Sequence, residues 1–327
     1  VRNNRLAMKH RARHVVEYLF LRACVGLFRI LPYRLALGVG WIMAVIAFHV
    51  FRFRLRQAIT RLTEVFGDQY THREMRRIAW MSLRNFVFCA VDMIRIPSVT
   101  VNWMRRHVLD YEQSSEMLAK HVATGTGAIL ACPHMGSWEI AGIVAQLSGL
   151  PIFFVTGKQK NPIVDRYLNR LRGSTGIPTV QRGSALLKSV IRRLKNGEIL
   201  GFMPDVRMRT EGVSVRFFGK EANVVGGMGL FARQTRSPIF PAVCTRLSWT
   251  HHRMRCLDPV WPDLTMDKQQ DWQRMTQLVF NQIEAAIREQ PEQWFWFNKR
   301  WILDPYVPPS PESDREGELT EPIAPNP

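Results

Sequence analysis

The sequence predicts an α/β protein: one sandwich of helices around a single, mostly parallel sheet, preceded by an N-terminal helical membrane anchor. Three observations predict it. From residue 127 onward, short apolar runs bounded by Gly or Pro alternate with longer segments of helical period, the pattern of strands and crossover helices. Before residue 52, long apolar stretches are threaded with arginine. The chain has 327 residues, 46% of them hydrophobic, enough to bury a full core.

The anchor spans residues 1–56. Eleven basic residues face one acid, Glu17, before residue 60, so more than half of the formal net charge of +18 lies there. Charge of that size draws the chain to something anionic, and the run Leu35–Phe51 favours a bilayer over nucleic acid, whose basic arms need no such apolar stretch. A signal peptide is the competing reading, but the run begins late and is followed by Arg52, Arg54 and Arg56, not by a small-residue cleavage site. Both flanks are basic, so the positive-inside rule sets no orientation, and a helical hairpin, helices lying in the interface and a single span all fit.

The catalytic-type domain is expected over 57–304. Helices fill 52 to about 113, with Ile78, Trp80 and Phe86 among apolar residues at helical spacing. Gly127–Ala131 reads as a buried strand and Trp138–Leu147 as a helix; Pro151–Val155 reads as a second strand, and Pro162 suits the first turn of a helix reaching about Arg172. Over Ser184–Lys195 the apolar residues Leu186, Leu187, Val190, Ile191 and Leu194 share one face, an amphipathic helix. Strands follow at Ile199–Met203 and Ile239–Val243 with a helix over about Gly227–Arg236 between them, and a last helix runs over about Asp267–Arg288. The Pro-rich, acidic stretch 305–327 reads as disordered. The five cysteines are scattered, with neither a Cys-x-x-Cys pair nor a His at metal-ligand spacing from a Cys, which predicts free thiols in a reducing compartment and no metal site.

His134 stands directly after a strand and a proline, and Glu139 follows in the next helix. A neutral imidazole oriented by a carboxylate is sufficient to deprotonate a hydroxyl. The same pair also reads as a structural histidine beside a helix whose dipole favours an acid.

The spacing His134-x-x-x-x-Glu139 resembles the first block of the glycerolipid and lipid A acyltransferases. Pro291-Glu-Gln-Trp-Phe-Trp-Phe-Asn-Lys-Arg-Trp301 is similar to the C-terminal segment of the bacterial lipid A late acyltransferases, the lauroyl and myristoyl transferases. Gln181–Ala185, Phe202–Val206 and Phe217–Gly219 extend the likeness over nearly the whole chain after the anchor; Asn298 departs from it, where relatives often carry His. The resemblance implies transfer of an acyl group from acyl carrier protein or acyl-CoA to a lipid hydroxyl, without a cofactor, at the cytoplasmic face of the inner membrane. It makes His134 the general base, Glu139 its orienting partner, and Arg182 a ligand of acceptor phosphate or of the oxyanion. Asp205 and Arg207, after the strand at 199–203, join the substrate-binding set, with Arg209 beside them. The acceptor implied is a lipid A precursor, with a lysophospholipid or phosphatidylinositol mannoside as the alternative.

Rival readings remain within the sequence. Cys132 raises a thiol-acyl intermediate, although a cysteine in a buried strand is usually inert packing. The glycines of Val225–Gly229 lack the Gly-Lys-Ser/Thr of a phosphate loop and suit tight packing at a helix start. A non-catalytic protein of anionic membranes explains the charge and the anchor, but not the His-Glu turn together with the Trp-rich block.

Overall fold

The computed structural model describes residues 2–157, 161–173, 176–181, 183, 185–208 and 210–305. Two helices open the chain, the arginine-rich α1 (Arg2–Ile30) and the apolar α2 (Tyr33–Val45), the latter running on into a π-helical turn, Ile46–Val50. They meet at Pro32, and Arg95 secures the corner by donating to the carbonyls of Phe28 and Leu31. Next come α3 (Leu55–Phe66), α4 (His72–Arg95), α5 (Val101–His107), strand β1 (Val108–Leu109) and α6 (Tyr111–Val122). A Thr71/Glu74 capping box starts α4. The α2 residues Ala36, Leu37, Gly40 and Ala44 are buried, and a side chain at Gly40 would press on Val87, Phe88 and Val91 of α4. The opposite face of α2 leaves Leu35, Trp41, Ile42 and Met43 exposed, and α1 leaves Val16, Leu19, Phe20 and Ile30 exposed.

The α/β part alternates as read from the sequence: β2 (Ala128–Ala131), α7 (Trp138–Leu147), β3 (Ile152–Thr156), α8 (Pro162–Gly173), β4 (Thr179–Gln181), α9 (Leu186–Lys195) and β5 (Ile199–Phe202). A hairpin of β6 (Val213–Phe217) and β7 (Lys220–Val224) follows, then α10 (Gly227–Thr235), β8 (Ile239–Arg246), β9 (His252–Cys256) and α11 (Lys268–Glu289). The seven-stranded sheet has the order β1-β9-β8-β2-β5-β3-β4. Strands β8, β2, β5, β3 and β4 are parallel, while β9 pairs antiparallel with β8 and parallel with β1.

Parallel strands covered on both faces must be apolar on both, and β2 is buried throughout. Its alternate residues serve two cores: Ile129 and Ala131 join the cluster under α9, α10 and α11, while Ala128 and Leu130 join the cluster under α6 and α7. The glycines of 225–229 allow close packing: a Cβ at Gly229 would lie 2.2 Å from the Trp272 ring, and the Trp272 indole donates to the Gly226 carbonyl. Strands β1, β4, β6, β7 and β9 are not among the strands placed from the sequence. The β6–β7 turn uses Phe218 and Gly219, both at positive φ, as a two-residue turn of the primed kind requires.

Candidate active site

The site forms where β2 and β5 end side by side. Ala131 pairs with Phe202 in parallel register, and His134 and Asp205 each lie three residues beyond these partners in the loops that follow. Adjacent parallel strands thus bring together two residues 71 positions apart, at the carboxyl edge where open α/β sheets hold their ligands.

His134 Nδ1 lies 2.8 Å from Asp205 Oδ1. Asp205 Oδ2 accepts the His134 backbone N–H at 2.8 Å and the Trp294 indole N–H at 2.8 Å. The Asp205 side chain is 1% exposed and that of His134 22%. Burial would raise the Asp205 pKa, but the His134 charge and three hydrogen bonds outweigh it and hold the carboxyl below its usual range. For His134 burial acts downward, and the charge and hydrogen bond of Asp205 reverse it, raising the imidazole above its ordinary value with a further contribution from Glu139. An ionised carboxylate only accepts hydrogen bonds, so Nδ1 carries the proton and Nε2 is the basic nitrogen.

The structure therefore gives the imidazole a different partner from the one the sequence suggests. Glu139 lies half-buried in the first turn of α7, from where its negative charge acts on His134, but Asp205 occupies Nδ1. Arg207 turns its guanidinium to the Pro305 carbonyl at 2.7 Å. Arg182 and Arg209 lie outside the described residues. Cys132 is buried, and burial pushes its thiol well above its ordinary pKa, away from the thiolate an acyl intermediate would need.

The Trp-rich segment is a strap across the His134 loop. Met135 bridges to Trp294, Phe295 N–H donates to the His134 carbonyl at 3.0 Å, and Gly136 N–H donates to the Gln293 carbonyl at 2.8 Å. Ser82 holds the Trp294 carbonyl at 2.5 Å, and Arg61 holds those of Trp296 and Asn298 at 2.8 and 2.9 Å with its guanidinium over the Trp301 ring. Beside His134 stands an aromatic wall: Trp138 meets the imidazole edge-on at 5.2 Å, and Phe86 stacks on Phe295 at 3.9 Å. Gly136 has a φ of +60°, and a Cβ there would lie 2.2 Å from the Cys244 carbonyl oxygen, so glycine is required. The sequence reading missed Trp294 as a ligand of Asp205; a tryptophan within a block otherwise read only as a likeness was the available signal.

The family model described as bacterial lipid A biosynthesis acyltransferase matches residues 6–302. A phosphatidylinositol mannoside acyltransferase of Mycolicibacterium smegmatis is 27% identical over 183 residues, 55% of this chain and 58% of that protein. The protein of the same description from Mycobacterium tuberculosis is 24% identical over 219 residues, 65% of this chain and 66% of that one. A lipid A biosynthesis acyltransferase of Haemophilus influenzae is 24% identical over 184 residues, 55% of each chain. The matched regions thus span just over half to just under two thirds of these relatives.

Proposed function

The chain belongs to the bacterial lipid A biosynthesis acyltransferase family, and on that premise we propose that it moves a fatty acyl group from a thioester donor to a hydroxyl of a lipid. His134 Nε2 takes the acceptor hydroxyl proton as the oxygen attacks the thioester carbonyl. Asp205 holds Nδ1–H and stabilises the imidazolium, Glu139 adds negative charge nearby, and the imidazolium returns the proton to the departing thiolate as the C–S bond breaks. The observation that carries this reading is the His134–Asp205–Trp294 hydrogen-bonded set at the end of two parallel strands.

The donor is acyl carrier protein or acyl-CoA. The acceptor is a phosphorylated lipid, a lipid A precursor or a mannosylated phosphoinositide, with Arg182 and Arg207 as its anionic-group ligands. The exposed apolar faces of α1 and α2, rich in arginine at both ends of the run, support attachment to the cytoplasmic face of the inner membrane. The test is turnover by purified protein of an acyl thioester with each acceptor, followed by mass spectrometry of the product. Release of free thiol with transfer of the acyl chain is expected in the wild type, and its persistence in His134→Ala would end the mechanism.

A further inference from the structure

Asp92, in the last turn of α4, is a carboxylate 2% exposed. Burying such a charge costs several kcal/mol unless it is well paired, about what breaking a buried pair costs. Its two oxygens meet three separate parts of the fold. Oδ1 accepts the Tyr33 hydroxyl at 2.7 Å, from the first residue of α2. Oδ2 accepts the Ser137 hydroxyl at 2.6 Å, from the residue that opens α7, and also the Arg246 guanidinium. Arg246 is itself fully buried, donates to the Trp249 carbonyl at 2.6 Å and lies over the Phe88 ring.

The same arginine closes a ring around the catalytic loop. Its backbone N–H and carbonyl exchange 3.0 Å hydrogen bonds with the Gln293 amide, and the Gln293 carbonyl accepts the Gly136 N–H. Ser137 is thus held by Asp92, Gly136 by Gln293, and both holders by Arg246. His134 lies three residues before Ser137. The transfer chemistry uses none of these groups, and an apolar cluster would pack the same space without the desolvation cost. What the polar set adds is direction: each hydrogen bond specifies where the loop sits.

Tyr33 gives that set an outside connection. It stands at the corner between the two helices whose outer faces expose Ile30, Leu35, Ile42 and Met43, residues whose favourable surroundings are a lipid phase. The seating of this corner against α4 is therefore sensitive to whether a bilayer covers those faces, and the Tyr33 hydroxyl reports it to Asp92.

We propose that Tyr33, Asp92 and Ser137 form a positioning chain that couples seating of the α1–α2 corner in a lipid surface to the geometry of the His134 loop, so that a bilayer activates the transferase as well as presenting its substrate. This rests on the transferase reading above. The three are positioning residues, since Tyr33 and Asp92 reach the loop through Ser137 and act on its position. The coupling available through one hydrogen bond to a charged group is ~10- to ~150-fold.

The test uses the full chain with vesicles of phosphatidylethanolamine and phosphatidylglycerol, and a readout independent of turnover: the rate of His134 carbethoxylation, followed by peptide mass spectrometry. In wild type, vesicles are expected to change that rate several-fold. Tyr33→Phe, which removes one oxygen and keeps the ring, should bind vesicles equally, abolish the lipid response of His134, and lower kcat on vesicles ~10-fold with little change in KM for the donor. Ser137→Ala should act the same way from the other end of the chain. A full lipid response in both variants overturns the proposal, as does a lipid response absent from wild type. Absence of acyl transfer by wild type would instead remove the transferase reading, and the carbethoxylation response of the two variants would then decide the coupling by itself.

Discussion

Replacing Asp205 with asparagine tests the site most sharply, because the change is isosteric and its consequence follows from the hydrogen bonds. Two donors converge on Oδ2, the His134 backbone N–H and the Trp294 indole, and one group faces Oδ1, the imidazole Nδ1. The substituted amide has one oxygen, and two fixed donors claim it. Its NH2 group then faces Nδ1, which must accept, and the ring proton moves to Nε2, where it blocks uptake of the acceptor proton. In Ser-His-Asp enzymes the corresponding wrong-tautomer loss is ~10⁴ in kcat, and Asp205→Asn should cost ~10³–10⁴ here. The pH profile supplies a second sign. Asp205 raises the His134 pKa against the opposing effect of burial, so wild-type kcat/KM should rise with pH on a limb lying above ~6.5, the ordinary histidine value. Without the carboxylate, burial prevails and the limb moves to lower pH while its plateau falls. Thermal unfolding should show Asp205→Asn still folded. A plateau within ~3-fold of wild type would refute the assigned tautomer, and a limb that stays in place would refute Asp205 as the source of the raised pKa.

Other substitutions separate the remaining roles. His134→Ala should leave a folded, membrane-bound protein with turnover reduced by ~10²–10⁴, and Glu139→Ala should fall less, since Glu139 acts on the imidazole through charge while Asp205 holds Nδ1; steady-state kinetics of the two side by side checks the order. Gly136→Ala should lose activity together with thermal stability, because the loop must shift to relieve the contact with the Cys244 carbonyl. Arg182→Lys should raise KM for the acceptor if the guanidinium binds phosphate, or lower kcat if it stabilises the oxyanion, measured with the acceptor varied at saturating donor; Arg182→Gln with both constants unchanged would remove it from the site.

How far the sequence led depends on where each residue's signal lies. Strands β2, β5 and β8 were readable as apolar runs because both faces are covered, and α7, α8 and α11 because their boundaries carry Ser137, Pro162 and Asp267. Strand β9, His252–Cys256, was missed: Arg253 and Arg255 alternate with the buried His252 and Met254, and charge masks a period of two in so short a stretch. His134 was legible from its local context. Its partner was not, since the choice between Glu139, five residues away, and Asp205, 71 away, depends on the β2–β5 register, which no local pattern encodes. The buried set of Asp92 and Arg246 left a fainter trace, an acid inside the otherwise apolar run Phe86–Ile94.

Helix α4 joins the N-terminal helices to the site, and this changes what removing those helices should do. Its one flank receives Ala36, Leu37, Gly40 and Ala44 of α2 through Val87, Phe88 and Val91, while Ser82 and Asn85 hold the Trp294 and Glu292 carbonyls of the strap. Deleting residues 1–51 therefore removes more than a tether: it strips the cover from Phe88 and Val91, both buried in the intact chain, and takes away the Tyr33 hydroxyl from Asp92. The burial of Leu37, 0% exposed, by itself contributes ~1.5–3 kcal/mol to a stability that is typically only ~5–15 kcal/mol, and the deletion forfeits it. The truncated chain should leave the membrane fraction and also aggregate or unfold at lower temperature, with the fresh apolar surface on α4 driving association. Deleting 1–11, whose loss leaves α2 and its contacts in place, should spare the fold while reducing affinity for anionic vesicles, because three arginines and a lysine go with it. Sedimentation with vesicles and a thermal melt of both truncations decide the matter: a soluble, monomeric and active 52–327 protein would show that α2 is a dispensable tether and not a wall of the catalytic fold.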